Sequence, residues 1–358
     1  MNGAELLDQA GVVRRGEEIE LAKIDAFLKG IDASLVGAPE ITQFPGGASN
    51  LTYLLRYPGR ELVLRRPPFG HRAKGAHDML REARVMTALK AVYPYVPTVV
   101  ATSESPEVMD CSFYVMERIP GIIPRRDLPQ GLNLGEADIG RLCRNVIDKL
   151  IELHQVDIKA AGLESLGKGE GYVRRQLEGW SDRCRKARVD GSGDFETVMA
   201  WLAAKMPPND VAIRVIHNDY RFDNVVLNPA NPFEVVGVLD WEMATLGDPL
   251  MDLGNTLAYW VQPDDEPQFK AMRRQPTHLP GMLTRPEVIA YYGEKTGYRV
   301  DNFDFYLIFG LFRLAVIIQQ ICYRYHHGQT RNPEFAEFGE VAKYLEQRCL
   351  RLIDQSRL

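Results

Sequence analysis

The segment Val215-Ile216-His217-Asn218-Asp219-Tyr220-Arg221-Phe222-Asp223-Asn224 places an Asp and, five positions later, an Asn directly behind an apolar run. Sixteen residues past Asn224 a second apolar run, from Glu234 to Leu239, delivers Asp240, followed by Trp241 and Glu242. These are the side chains that phosphoryl transfer requires. A carboxylate, here Asp219, orients the attacking hydroxyl and accepts its proton. An amide oxygen and a second carboxylate, here Asn224 and Asp240, hold the magnesium that bridges the phosphates of ATP. Any one of these residues alone would be commonplace, since Asp and Asn favour turns for local hydrogen-bonding reasons. The ordered set carries the inference, and two loops carried by adjacent strands would bring its members to one cleft.

The elements needed to position these loops can be read from the surrounding pattern. Residues 18–31 place Ile24, Phe27, Leu28 and Ile31 at helical spacing. A β-rich stretch follows: Ile41–Phe44, a glycine-containing run from Pro45 to Asn50, then Leu51–Tyr57 and Glu61–Arg65 joined by the turn Pro58-Gly59. Ala76–Lys90 reads as a helix and Ser112–Glu117 as a strand ending near Pro120-Gly121. Beyond Gly121 helices dominate, beginning with the amphipathic Asp138–Gln155 and interrupted by the β-like runs Val211–Ile216 and Val235–Leu239. The pattern predicts a small β-rich lobe, a Pro-Gly hinge and a large helical lobe. Between its two strands, the run Gly46-Gly47-Ala48-Ser49-Asn50 offers backbone N–H groups and small side chains that could approach phosphates.

The motifs His217–Asn224, Leu239-Asp240-Trp241-Glu242 and Asp248-Pro249-Leu250-Met251-Asp252-Leu253-Gly254, in this order, resemble the aminoglycoside phosphotransferase and choline kinase superfamily, relatives of protein kinases. The likeness runs from about residue 40 onward. At Val63-Leu64-Arg65-Arg66-Pro67-Pro68 it is similar to the branch associated with acyl-CoA dehydrogenases. The resemblance implies an α+β, protein-kinase-like two-lobed fold. Residues 1–117 would form an N-terminal helix and β-rich nucleotide-binding lobe, 118–121 a hinge, and 122–358 the mainly helical catalytic and substrate lobe. It implies Asp219 as the catalytic residue, Asn224 and Asp240 as the magnesium ligands, and Asp252 as a brace for the catalytic loop. On the nucleotide side it implies Gly46, Gly47, Ser49 and Asn50 near the phosphates, Arg65 as the phosphate-gripping cation, and Glu82 as its partner. Adenine would meet the Glu117 carbonyl and the Ile119 N–H, with Met116 near the base. Arg65 departs from the Lys of related kinases, but a guanidinium keeps its charge and grips phosphate with a planar fork. His217 holds the loop in that family, and His154 reads as a packed or capping residue.

Composition narrows the alternatives. The chain has 358 residues, 45% of them apolar and 25% charged, with a formal net charge of -5. That length exceeds one ordinary hydrophobic core, and the balance lacks the basic footprint of a nucleic-acid binder. Five scattered cysteines without a CxxC pair argue against a disulfide framework or a zinc site, and favour a reducing, cytoplasmic location. No signal peptide is evident at the N-terminus. The apolar stretch Phe305–Ile318 is short for a bilayer and is interrupted by Arg313, so a buried helix is expected and no membrane partner. No strand–GxGxxG–helix unit supports a dinucleotide-dependent oxidoreductase. The acceptor is expected to be a small molecule with a hydroxyl. Between Trp260 and Phe305, Asp264, Asp265 and Glu266 stand beside Lys270, Arg273, Arg274, His278 and Arg285. That mixture suits a polycationic aminoglycoside poorly. Together with Arg125-Arg126 it fits an anionic acceptor such as a hydroxyacyl-CoA, although such residues are also ordinary on a solvated surface. A nucleotide-binding scaffold without catalysis stays open through Arg65 alone.

Overall fold

The computed structural model describes residues 8–45, 50–69, 78–330 and 332–358. Its first lobe is a five-stranded antiparallel sheet in the order β1-β2-β3-β5-β4, flanked by two helices. The strands are β1 (Glu40–Gln43), β2 (Leu51–Tyr57), β3 (Arg60–Arg66), β4 (Val99–Ser103) and β5 (Phe113–Glu117). The expected Pro58-Gly59 hairpin is present: Tyr57 pairs with Arg60, and Gly59 takes the positive φ of 79° that a tight turn demands. Helix α1 (Leu21–Ile31) covers one face, packing Ile24 and Leu28 against Tyr53, Leu55, Leu62 and Leu64. Helix α2 (Met79–Leu89), capped by the Asp78 side chain accepting from the Arg81 N–H, lies on the other face with Leu54, Val63 and Met116. Because both faces are covered, β2 and β3 read as nearly continuous apolar runs rather than an alternation. The alternation of strand side chains then fixes one functional placement: Leu62 and Leu64 face α1, so Val63 and Arg65 face the cleft between the lobes. Strand β4 is an addition to the sequence reading. The residues expected to begin α2, Ala76 and His77, lie outside the described residues.

The second lobe is mainly helical: α3 (Glu136–His154), α4 (Tyr172–Lys186), α5 (Glu196–Lys205), α6 (Pro249–Leu257), α7 (Pro267–Ala271), α8 (Arg285–Thr296), α9 (Phe303–His326) and α10 (Phe338–Gln355). Two small antiparallel pairs are set into it. Strand β6 (Arg214–Ile216) pairs with β9 (Thr245–Gly247), and β7 (Val225–Asn228) pairs with β8 (Asn231–Val238). This corrects one expectation. The strands that carry Asp219 and Asp240 are not paired with each other, and their loops meet by other means described below. Helix α9 is longer than the stretch read from sequence and is long and apolar enough to cross a bilayer, yet 78% of its most apolar window is buried inside the protein. It lies against α6 and α10 as a core helix. The α6 crossing is close because both contact residues are glycine: a Cβ on Gly310 would stand 2.3 Å from the Gly254 carbonyl oxygen.

Between the lobes the chain passes Pro120-Gly121 and is tied to the second lobe by a bridge from Ile122 to Leu227. A Cβ at Gly121 would come within 2.5 Å of the Leu227 oxygen, so only glycine allows this approach. One hydrophobic core runs from the cleft face of the sheet through α2 and α3 into the helical lobe.

Candidate active site

The loop that carries Asp219 is fixed from behind. Asp252, fully buried on α6, accepts the backbone N–H of His217 at 2.7 Å and that of Asn218 at 2.7 Å. The helix is delivered by Asp248, whose side chain caps its N-terminus over Pro249. Behind Asp252, His154 presents Nε2 at 3.1 Å and turns Nδ1 to the Tyr292 hydroxyl at 2.6 Å. Burial alone would raise the Asp252 carboxyl, but His154 and the backbone donors hold it below its ordinary value. Asn218 is thereby held at φ 66°, a left-handed conformation uncommon for a residue with a side chain. Asp240 has φ 69°. Two such residues on facing loops mark a geometry that packing enforces.

His217 joins the two loops. It is fully buried and its Nε2 lies 2.9 Å from the Leu239 carbonyl, while its Nδ1 accepts the Asp219 N–H at 3.2 Å. That network assigns the proton to Nε2, and burial pushes the imidazole pKa down, so the ring is neutral. A bond of 2.8 Å from the Leu239 N–H to the Asn224 backbone carbonyl adds a second tie. These contacts, rather than strand pairing, bring Asp219, Asn224 and Asp240 together.

Asp219 keeps a fifth of its side chain exposed, at 20%. Desolvation between the lobes, with help from Asp240, pushes its carboxyl up to about 7 against the pull of Arg221. Arg221 lies 3.2 Å from Asp219 and 3.2 Å from Asp223, and stacks over the Tyr259 ring. Asn224 donates its Nδ2 to the Asp219 carbonyl at 2.8 Å and to the Asp219 carboxylate at 3.2 Å. Its amide oxygen is therefore the atom left for a cation. Asp240 gives Oδ1 to Arg65 at 3.0 Å and leaves Oδ2 as its second ligand position. Burial would raise Asp240, but Arg65 holds it below the usual carboxylate range. Among the described residues no group of three His, Cys, Asp or Glu could hold a metal. Two protein oxygens from an amide and a carboxylate do suit magnesium, which draws its other ligands from phosphates and water.

Arg65 bridges the lobes. Its Nη1 meets Glu82 of α2 at 2.6 Å and the Tyr114 hydroxyl at 3.3 Å, while Nη2 reaches Asp240. Its Nε is buried with no hydrogen-bond partner, a donor still to be satisfied at the cleft. Burial pushes the Glu82 carboxyl up, opposed by Arg65. A second latch crosses the cleft where Asn50 Nδ2 donates to Glu242 at 2.8 Å. Gly46, Gly47 and Ser49 lie outside the described residues.

The cleft, about 1000 Å³ with its open mouth, runs from these groups to the hinge. Val63, Met86, Met116, Ile119 and Leu239 form apolar walls that fit a flat base. Glu117 and Ile119 both line it, and the Ile119 N–H meets no acceptor among the described residues. The Glu117 carboxylate is turned away to Arg60 at 2.5 Å, which leaves its backbone as the contribution to the cleft. Two charges expected to face an acceptor are ion-paired within the protein, although Arg125 stays 49% exposed and lines the cleft. Arg125 pairs with Asp8 at 2.9 Å. Asp265 is enclosed by Arg285 at 2.7 Å and Arg348 at 2.5 Å. The sequence reading missed Arg221, Asp223 and Tyr259, which converge on Asp219 from separate segments; the only local signal was the spacing of Arg221 and Asp223 inside the loop motif.

Comparison with known proteins agrees with this fold. The profile of the phosphotransferase enzyme family matches residues 40–287. The chain is 33% identical to acyl-CoA dehydrogenase family member 10 of Mus musculus over 338 residues, covering 94% of this chain and 31% of that protein. It thus spans about a third of that relative's length. Among solved structures, a putative aminoglycoside phosphotransferase from Ralstonia eutropha JMP134 superposes with a TM-score of 0.80 at 26% identity, over 95% of this chain and 100% of that one. Choline kinase from Cryptosporidium parvum Iowa II shares the fold, with a TM-score of 0.60 at 14% identity over 93% of this chain and 96% of that one. With a two-lobed kinase-like fold and a family match across most of its length, the chain belongs to the phosphotransferase enzyme family.

Proposed function

We propose that the protein transfers the γ-phosphoryl group of ATP to a hydroxyl of a small molecule, of the hydroxyacyl-CoA type. The observation that carries this reading is the convergence of Asp219, Asn224, Asp240 and the Arg65–Glu82 pair on one cleft that ends in an apolar slot at the hinge. Magnesium, held by Asn224 and Asp240, would neutralise charge on the phosphates when bound. Arg65 and its free Nε grip the phosphates, the hinge backbone holds the base, and Asp219 aligns the acceptor hydroxyl and takes its proton. The acyl-CoA link rests on the names of the relatives. Five buried cysteines, none of them in a disulfide, support a reducing cytoplasmic setting.

The test is a screen of ATP consumption and product mass against hydroxyacyl-CoAs, amino alcohols and aminoglycosides, with and without magnesium. We expect a product heavier by one phosphoryl group from a hydroxyacyl compound, and only with magnesium present. Tight ATP binding with no phosphorylated product from any acceptor would favour a nucleotide-binding scaffold, the reading that Arg65 in place of Lys keeps in view.

A further inference from the structure

Arg313 breaks the otherwise apolar middle of α9 and is 4% exposed. A guanidinium is charged at all relevant pH values, and burying it is costly unless a carboxylate compensates. The other buried arginines obey this rule: Arg65 pairs with Glu82 and Asp240, Arg66 with Asp110, and Arg348 with Asp265 and Glu266. Arg313 has no carboxylate within ion-pair distance among the described residues.

Its fixed contacts occupy one nitrogen. Nη2 lies 3.2 Å from the Asn218 carbonyl and 3.5 Å from the Met243 sulfur, and the guanidinium sits over the Trp180 ring at 5.3 Å. No described group accepts a hydrogen bond from Nη1 or Nε. Asn218 immediately precedes Asp219, and the Arg313 charge is felt by the Asp219 carboxylate and the half-buried Tyr259 hydroxyl. Tyr259 itself makes no described hydrogen bond through that hydroxyl. The nucleotide cleft is lined by Asp223, Asn224 and Asp240 but not by Arg313. The unpaired cation thus stands beside the catalytic loop and outside the nucleotide cleft.

We propose that Arg313 binds an anionic oxygen of the acceptor, a carboxylate or a phosphate ester, and so selects anionic hydroxy compounds over neutral or cationic ones. The assignment rests on the phosphotransfer reading for the word acceptor, but not for the binding of the anion. Nη1 and Nε lie on either side of Cδ and share no fork, so each offers a separate N–H to an anionic oxygen, and Trp180 with Met243 supplies an apolar wall for the carbon chain beside it. A polycationic acceptor would meet repulsion at this point.

The experiment compares the wild-type chain with Arg313→Gln and Arg313→Lys, in the presence of ADP and magnesium. The probes are hydroxy acids of four to ten carbons, the matching diols, and the CoA thioesters of the same acids. Binding is followed by calorimetry, and transfer from ATP by product mass. We expect the wild type to bind an acid or its thioester at least about tenfold more tightly than the diol. Arg313→Gln should raise Kd and KM for that probe roughly ten- to a hundredfold, and Arg313→Lys should recover part of the loss. KM for ATP should change less than about twofold. An effect seen with free acids but lost with thioesters assigns the anion to the carboxylate; an effect retained with thioesters assigns it to the carrier phosphates. Binding of the anion without its phosphorylation would remove the phosphotransfer reading and leave Arg313 in place. If no anionic probe binds better than its diol, or if Arg313→Gln lowers only kcat and melting temperature, Arg313 is a prop for Asn218 and the proposal is overturned.

Discussion

Asp219 shows most clearly how position alters a side chain. An aspartate in water ionises near 4, whereas burial between two lobes raises this one to about 7, so it can accept a proton at neutral pH without being so acidic that it is a poor base. The proposed role as base predicts that kcat/KM rises with pH up to about 7 and then levels; a profile flat from pH 5 to 8 would remove the assignment. The same shift has a consequence for stability. Because the native state binds this proton more tightly than the unfolded chain, the Asp219 contribution to stability falls as pH rises from about 4 to about 7. Asp219→Asn, uncharged throughout, should therefore be more stable than wild type at pH 8 by ~1–2 kcal/mol, with the difference vanishing near pH 4. Thermal melts of both proteins across that range check this. A variant less stable at pH 8 would mean that the carboxylate ties the loop together instead.

At the scale of elements, the site is an agreement between β3, α2 and two loops. Arg65 faces the cleft because strand residues alternate, and Glu82 faces it because α2 lies on that side of the sheet. If the pair acts as one unit, Arg65→Ala and Glu82→Ala should each cost most of the transfer rate, and the double variant should cost little more. Arg65→Lys should keep part of the activity. Additive losses in kcat/KM would mean that the pair is not formed during turnover. Much of this was legible from the chain: the Pro58-Gly59 hairpin, α3, and the loop carrying Asp219 and Asn224 are encoded by local pattern. Strands β4, β7 and β9 were not, because runs of three to five residues are too short to display an alternation. Nor could periodicity reveal that β6 pairs with β9 rather than with the strand before Asp240. The crowding of Arg221, Tyr259 and Arg313 around Asp219 arises only when the loop, α6 and α9 pack together.

For the molecule as a whole, the two lobes are joined by polar contacts across the cleft, Arg65 to Asp240 and Asn50 to Glu242, and by a glycine-lined hinge against β7. The second lobe is organised around α9, whose Arg313 holds the Asn218 carbonyl of the Asp219 loop while Asp252 holds the Asn218 N–H. On the proposed reading this arrangement separates the work of the lobes: nucleotide contacts would lie in the cleft and hinge, and the proposed proton acceptor on a loop that the helical lobe holds. Asp219 on this view serves the acceptor of the transferred phosphoryl group and not the nucleotide. The most direct test is one measurement on Asp219→Asn, the rate of acceptor phosphorylation set beside the Kd for ATP with magnesium. Transfer should fall by about a hundred- to ten-thousandfold while the ATP Kd stays within roughly threefold of wild type. Near-normal transfer by the folded variant would contradict the proposed role of Asp219.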